Sequence, residues 1–290
     1  MEGKPSWVRG FLAALLLACG WARATDQQLF HAALRSLHAG DWNVAVRWLE
    51  KLRGTEEAEL RQRAVLLLGQ ARFQMGDYQG SHADLSRGLE ASGALKSDYN
   101  FWMAECRYRQ AEMAAEEGGA WQTLFGEAAR AYEEIIRAYP NSSRLIDAMV
   151  GGAQAHARLR NWPQVVEILQ PADGVFQKFI KSQPNDRLAI AGRLVLAEAL
   201  HGSQQSEDAL SELMSMQADM LTGEQDRLRR HLQVRIEAGA GRLKEALELT
   251  RGLEASVREQ SGRSELREVL LLQVEILRQA RQTAAALQPL

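Results

Sequence analysis

The 290-residue chain has little cysteine, little proline, almost no net charge and a single apolar run of any length. Each shortage excludes something. Two cysteines, Cys19 and Cys106, cannot build a disulfide framework. With Cys19 inside a leader, Cys106 is left to pack as a small hydrophobe. Six prolines exclude a collagen-like or proline-rich chain. A net charge of −2 excludes a nucleic-acid binder driven by bulk electrostatics, which would carry a clear basic excess. The apolar run, residues 11–19 extended by Gly20-Trp21-Ala22, is roughly a dozen residues long, whereas a membrane-spanning helix needs about 20. What remains is 46% hydrophobic, enough for a sizeable core.

The one apolar run reads as part of an export signal. Lys4 and Arg9 precede it, and Ala22-Arg23-Ala24 follows with the small-x-small spacing of a cleavage site, so residues 1–24 are a signal peptide removed after Ala24. A second reading is open: Leu16-Leu17-Ala18-Cys19 resembles the bacterial lipobox, with Cys19 as the acylated residue. Both readings place the chain in the periplasm or at the outer membrane. It would then touch a membrane only through an N-terminal lipid or a partner. Removing residues 1–24 takes away Lys4, Arg9 and Arg23 against Glu2 and leaves the remainder mildly acidic.

Catalytic patterns are missing as well. There is no phosphate-binding Gly-x-x-x-x-Gly-Lys-Ser/Thr loop, no His-Glu-x-x-His and no Gly-x-Ser-x-Gly elbow. Gly239-Ala240-Gly241 lies where a turn between helices is expected. His31 and His38 share a helix face but stand about 10.5 Å apart along it, too far for one metal ion. Paired acids such as Glu133-Glu134 are exposed helix charges by default. The expectation is a non-enzyme with neither cofactor nor metal.

What is present is a repeat over residues 25–290. Ala33, Gly40-Asp41-Trp42, Ala45 and Leu49 are matched 36 residues later by Gly69, Gly76-Asp77-Tyr78, Ser81 and Leu85. Small residues on two consecutive helices let the helices approach closely. The Gly-Asp turn reverses the chain between them, with Asp free to cap the second helix. Apolar residues recur at three- and four-residue spacings throughout, and no alternation marks a strand. About thirteen helices are expected. Pro163 opens one, while Pro140 and Pro184 follow others.

This pattern resembles the tetratricopeptide repeat, a helix-turn-helix of about 34 residues. It implies an all-α fold: an α-solenoid of stacked antiparallel helix pairs in a right-handed superhelix, with six or seven repeats, the last incomplete. The second-helix small position falls at Ala45, Ser81, Ala128, Val165, Ala209, Ala246 and Ala286. The wide second spacing, from Ser81 to Ala128, holds an extended turn at Glu116-Glu117-Gly118-Gly119. Pro171-Ala172-Asp173-Gly174 splits a long second helix in the fourth repeat, where Val165 fits poorly. The apolar face continues through Leu270, Val274 and Leu277 to Leu287, which suggests that the natural chain runs on. Residues 264–280 as a terminal cap are the other reading. Tyr132 with Tyr139-Pro140-Asn141 is similar to repeats in lipoproteins of outer-membrane β-barrel assembly and in periplasmic coordinators of envelope division.

In that family, first-helix residues line a groove that holds a peptide. The resemblance implies Arg63, Gln70 and Gln74 in the second repeat, Gln154 and Arg158 in the fourth, Glu198 and His201 in the fifth, and His231 and Arg235 in the sixth. Arg227 borders the groove, because Leu228 holds the position that matches Arg63. Arg107 and Gln110 join from the third repeat, where the insertion blurs the register. Arginines and amides face one acid, Glu198, with Asp147 as a further candidate. Such a groove suits an acidic segment or a chain-terminal carboxylate held by bidentate hydrogen bonds; solvated helix surface is the plainer reading. Trp42 and Trp162 are expected at the elbows, and Trp48, Trp102 and Trp121 in the core.

The expected function is a protein-interaction scaffold of the cell envelope that binds a protein or peptide and no nucleic acid. The alternative is an N-terminal targeting module of a longer envelope enzyme or membrane protein. The leader is testable by labelling with palmitate. Cleavage after Ala24 leaves the wild type and Cys19→Ala equally unlabelled, with Thr25 as the new N-terminus. Label on the wild type that is lost in Cys19→Ala would replace that reading with the lipoprotein.

Overall fold

The computed structural model describes residues 25–260 and 263–286. The expected signal peptide, with Cys19 and the expected cleavage point, lies outside them, as does Leu287. The described residues form fourteen α-helices joined by turns and short 3-10 segments, with no strand among them. The chain divides into two compact units between Trp102 and Met103. Among the described residues the fold is all-α, with consecutive helices packed in pairs inside each unit, the arrangement of an α-solenoid.

In the first unit, α1 (Asp26–His38) pairs with α2 (Trp42–Lys51), and α3 (Ala58–Gln74) with α4 (Tyr78–Gly88). Thr25 opens α1 with a reciprocal capping box to Gln28, satisfying two backbone donors that a helix start leaves bare. Gly40 and Gly76 sit at φ +75° and +79°, the left-handed region that the turn requires and that glycine adopts without strain. Asp77 caps α4 by accepting from Gly80 N at 2.9 Å, whereas the Asp41 side chain makes no such bond. Ala33, Ala45, Leu49, Leu52, Leu60, Ala64 and Leu68 form the core. α5 (Lys96–Glu116) begins in the first unit and, from Met103 on, belongs to the second.

The second unit carries α6 (Trp121–Ala138), α7 (Leu145–Arg158), α8 (Trp162–Leu169) and α9 (Val175–Ser182). It continues with α10 (Arg187–Gly202), α11 (Ser206–Met214), α12 (Gly223–Gly239), α13 (Leu243–Gln260) and α14 (Arg263–Ala286). The two expected interruptions are both present. Gly118, at φ +74°, turns the chain before α6, and Pro171 to Gly174 separates α8 from α9. Two turns use residues other than glycine in the left-handed region: Arg160 at φ +55° and Gln204 at +64°. Both cost more there than glycine would, and they hide the turn signature in the fourth and fifth repeats.

Ala45, Ser81, Ala128, Val165, Ala209 and Ala246 are all fully buried. Ser81 satisfies its hydroxyl by donating to Gly69 O at 2.7 Å. Ala286 departs from the expected series. α14 runs unbroken to it, so it ends a first helix instead of lying in a second one. The stripe at Leu270, Val274 and Leu277 is also corrected. Those side chains are exposed, and Val269 and Ile276 bury themselves with residues of α12 and α13.

Several tight contacts in the second unit fall on glycines. A Cβ built on Gly192 of α10 would meet the Phe176 ring of α9 at 2.4 Å and Val150 Cγ2 at 3.3 Å. Gly126 of α6 has open space around the same position. Alanine in a helix gains about 0.5–1 kcal/mol over glycine, while overpacking a core costs typically 1–3 kcal/mol. Gly126→Ala should therefore stabilise the fold by about 0.5–1 kcal/mol and raise the urea midpoint, and Gly192→Ala should destabilise it by about 1–2 kcal/mol and lower the midpoint. Equal midpoints for the two variants would contradict the close contact.

Candidate functional site

The second unit contains a cavity of about 630 Å³ whose walls come mainly from the first helices of its repeats. Tyr108 enters from α5, Gln154 and Arg158 from α7, Val195, Glu198, His201 and Gly202 from α10, and Arg235 from α12. Helical geometry brings them together. Gln154 and Arg158 are one turn apart on α7, and Val195, Glu198 and Gly202 follow the three- and four-residue steps of one face of α10. Arg160 and Trp162 close one end from the turn and the start of α8.

Two glycines let the walls close up. The Trp162 ring lies on the bare backbone of Gly202, where a Cβ would sit 2.5 Å from it, and the His201 ring lies on Gly239, where the distance would be 2.6 Å. Trp162, expected as an elbow residue, is therefore part of the cavity wall as well.

The lining carries three guanidinium groups, those of Arg158, Arg160 and Arg235, against the carboxylate of Glu198. Arg158 Nη2 pairs with Glu112 Oε1 of α5 at 3.1 Å, and Arg235 Nη1 with Glu198 Oε1 at 3.3 Å. Both pairs are partly exposed, so an entering carboxylate can share or replace a partner that is only weakly held. Burial pushes the Tyr108 hydroxyl up, opposed by Arg158, so it remains a neutral donor at ordinary pH. Burial pushes His201 below its usual 6.5, with Arg235 adding to the shift and Glu198 opposing it. His231 of α12 is also lowered, by burial first and then by Arg235.

Gln154, Arg158, Glu198, His201 and Arg235, named from the sequence, thus line one cavity. The other sequence candidates are placed elsewhere. Arg107 turns to α6 and pairs with Glu127 at 3.3 Å, and its neighbour Tyr108 takes the wall position. Arg227 pairs with Glu265 at 3.5 Å and, like His231, is not among the lining residues. Arg63, Gln70 and Gln74 lie on α3 in the first unit, where Arg63 pairs with Glu59 of its own helix at 2.7 Å. Asp147 does not line the cavity either. Tyr108, Arg160 and Val195 were missed, and a correct register for α5 would have found the first.

No family model matches the chain. No curated protein matches it. Among solved structures it is similar to a Rap protein complexed with competence and sporulation factor. The identity is 12% and the TM-score 0.56, over 90% of this chain and 73% of that one. That is a likeness of fold. A tetratricopeptide repeat protein from Parabacteroides merdae ATCC 43184 aligns at 14% identity and a TM-score of 0.41, over 86% and 98% of the two chains. The TPR2AB domain of yeast Sti1 in its pHSP90 complex aligns at 13% and 0.34, over 87% and 98%.

The two histidines give the site a pH signature. Their folded-state values are lowered, so the unfolded chain takes up protons first as the pH falls through 6.5. The stabilisation is complete above that value and is lost on going down toward the lowered folded values. Thermal midpoints should therefore fall between about pH 7.5 and about pH 5, and the fall should shrink in the His201→Gln/His231→Gln variant. Parallel curves for wild type and variant would contradict the assignment.

Proposed function

We propose that this chain is a non-enzymatic protein-interaction scaffold whose second unit holds an acidic peptide segment or a chain-terminal carboxylate. The observation that carries this reading is the cavity itself: three arginines to one glutamate, an amide at Gln154, and the aromatic walls Tyr108 and Trp162. Guanidinium groups form charge-assisted, bidentate bonds to carboxylates, and aromatic walls accept the apolar stems of peptide side chains. The charged groups of the lining are three arginines and one glutamate, with Arg158 and Arg235 ion-paired, and this donor-rich set suits recognition of an acidic group. The Rap protein of similar fold was solved with a factor bound, which supports a binding role for this architecture.

The leader supports an exported location. Lys4 and Arg9, the apolar residues 11–19 and Ala22-Arg23-Ala24 are what a bacterial secretion signal requires. The scaffold then works in the cell envelope, in the periplasm or at the outer membrane.

Fluorescence anisotropy with a panel of labelled peptides tests the binding reading. Acidic peptides should bind and charge-neutralised versions should not. The Arg158→Gln/Arg235→Gln variant should weaken binding by about tenfold or more, the loss expected for one or two charged hydrogen bonds. Equal affinity for neutral peptides, or unchanged affinity in the variant, would overturn it.

A further inference from the structure

A second, smaller cavity lies in the first unit, where the 3-10 turn after α2, the start of α3, the end of α4 and the start of α5 meet. Its volume is about 200 Å³, and Arg53, Arg61, Arg87, Asp84, Gln62 and Tyr99 are among its walls. Asp84 is buried at 2% exposure. It accepts from Arg53 Nη2 and Arg87 Nη2, each at 2.6 Å, and pairs with Arg72 Nε at 3.0 Å.

The charges do not balance. Arg72 has further partners in Glu50 at 2.8 Å and Asp77 at 3.1 Å. The remaining lining therefore sets three guanidinium groups against the single carboxylate of Asp84. Arg53 and Arg87 keep 33% and 68% of their side chains exposed, so their outer N–H groups stay open to an anion that enters from solvent. Tyr99 adds no negative charge: its hydroxyl donates to Gln62 O at 2.7 Å, and burial pushes it up to about 12. Arg61 is fixed through Nη1 on Thr55 O at 2.6 Å, and its other nitrogens have no partner among the described residues. Asp84 in turn fixes Arg53 and Arg87, so the donors are oriented before any ligand arrives.

We propose that this cavity binds a compact oxyanion of the phosphate or phosphate-monoester class, with Arg61 and Arg87 as its ligands and the Arg53–Asp84 pair as the positioning element. Tetrahedral oxygens spaced for forked N–H donors meet the surplus charge, and the volume admits such a group while excluding a folded segment. This site is separate from the peptide cavity of the second unit, and either can fail without the other.

Isothermal titration of the full chain with inorganic phosphate and with phenyl phosphate, at constant ionic strength against chloride, tests the proposal. Saturable binding is expected, tighter above about pH 7, where the dianion predominates, than at about pH 5.5. Tighter binding of phenyl phosphate identifies a monoester as the ligand, and tighter binding of phosphate identifies the free anion. Arg61→Gln and Arg87→Gln should each weaken binding by about tenfold or more with the helical circular dichroism unchanged. Arg61→Lys keeps the charge but loses the fork, and should fall between. Absence of saturable binding, or unchanged affinity in both glutamine variants, would overturn the proposal.

Discussion

At six contacts between helices among the described residues, one helix carries a glycine and the other lays a large side chain on its bare backbone. Leu85 lies on Gly69, Tyr99 on Gly88, Tyr132 on Gly151, Phe176 on Gly192, Trp162 on Gly202 and His201 on Gly239. A methyl group at any of these points would stand within 3 Å of the partner, and close-packed interiors do not absorb that without movement. The contacts differ in chemistry but share one geometry. They fix how far apart successive helices lie, and so how wide a space the first helices enclose. Two of the six border the larger cavity directly, through Trp162 and Gly202 and through His201.

That constraint explains why much of the fold was legible in the residues. A close approach demands something small at a set place, so Ala45, Ser81, Ala128, Ala209 and Ala246 recur and are all fully buried. The turn needs a left-handed residue, so Gly40, Gly76 and Gly241 announce it. Arg160 and Gln204 adopt the same conformation without announcing it, so the fourth and fifth repeats lack the Gly-Asp signature of the first two.

The site was less legible, for three physical reasons. α5 buries Tyr99, Phe101, Ala104, Cys106, Tyr108 and Ala111, residues that do not share one face, so nothing in its pattern says that Tyr108 and not Arg107 meets the cavity. Arg158 finds Glu112 across 46 positions of sequence, a pairing that only the stacked helices create. α14 buries Val269 and Ile276 while Val274 and Leu277 stay exposed, so periodicity there identified a helix but misjudged its inner face. Asp84 shows the same limit in the first unit: three arginines from different parts of the chain converge on it, and each looks like ordinary surface charge in the sequence.

Electrostatics then separates the two cavities. The larger one pairs its arginines loosely with partly exposed acids, which suits exchange with an incoming peptide. The smaller one holds Arg53 and Arg87 on a buried aspartate and Arg61 on a backbone carbonyl, which suits a fixed, compact anion. The proposed partner site is the face built by the first helices of the second unit. Amide hydrogen exchange with and without a bound acidic peptide tests this most directly. Protection should concentrate on α7, α10 and α12 around Gln154, Glu198 and Arg235. Protection confined to the second helices α8, α11 and α13 would contradict the account.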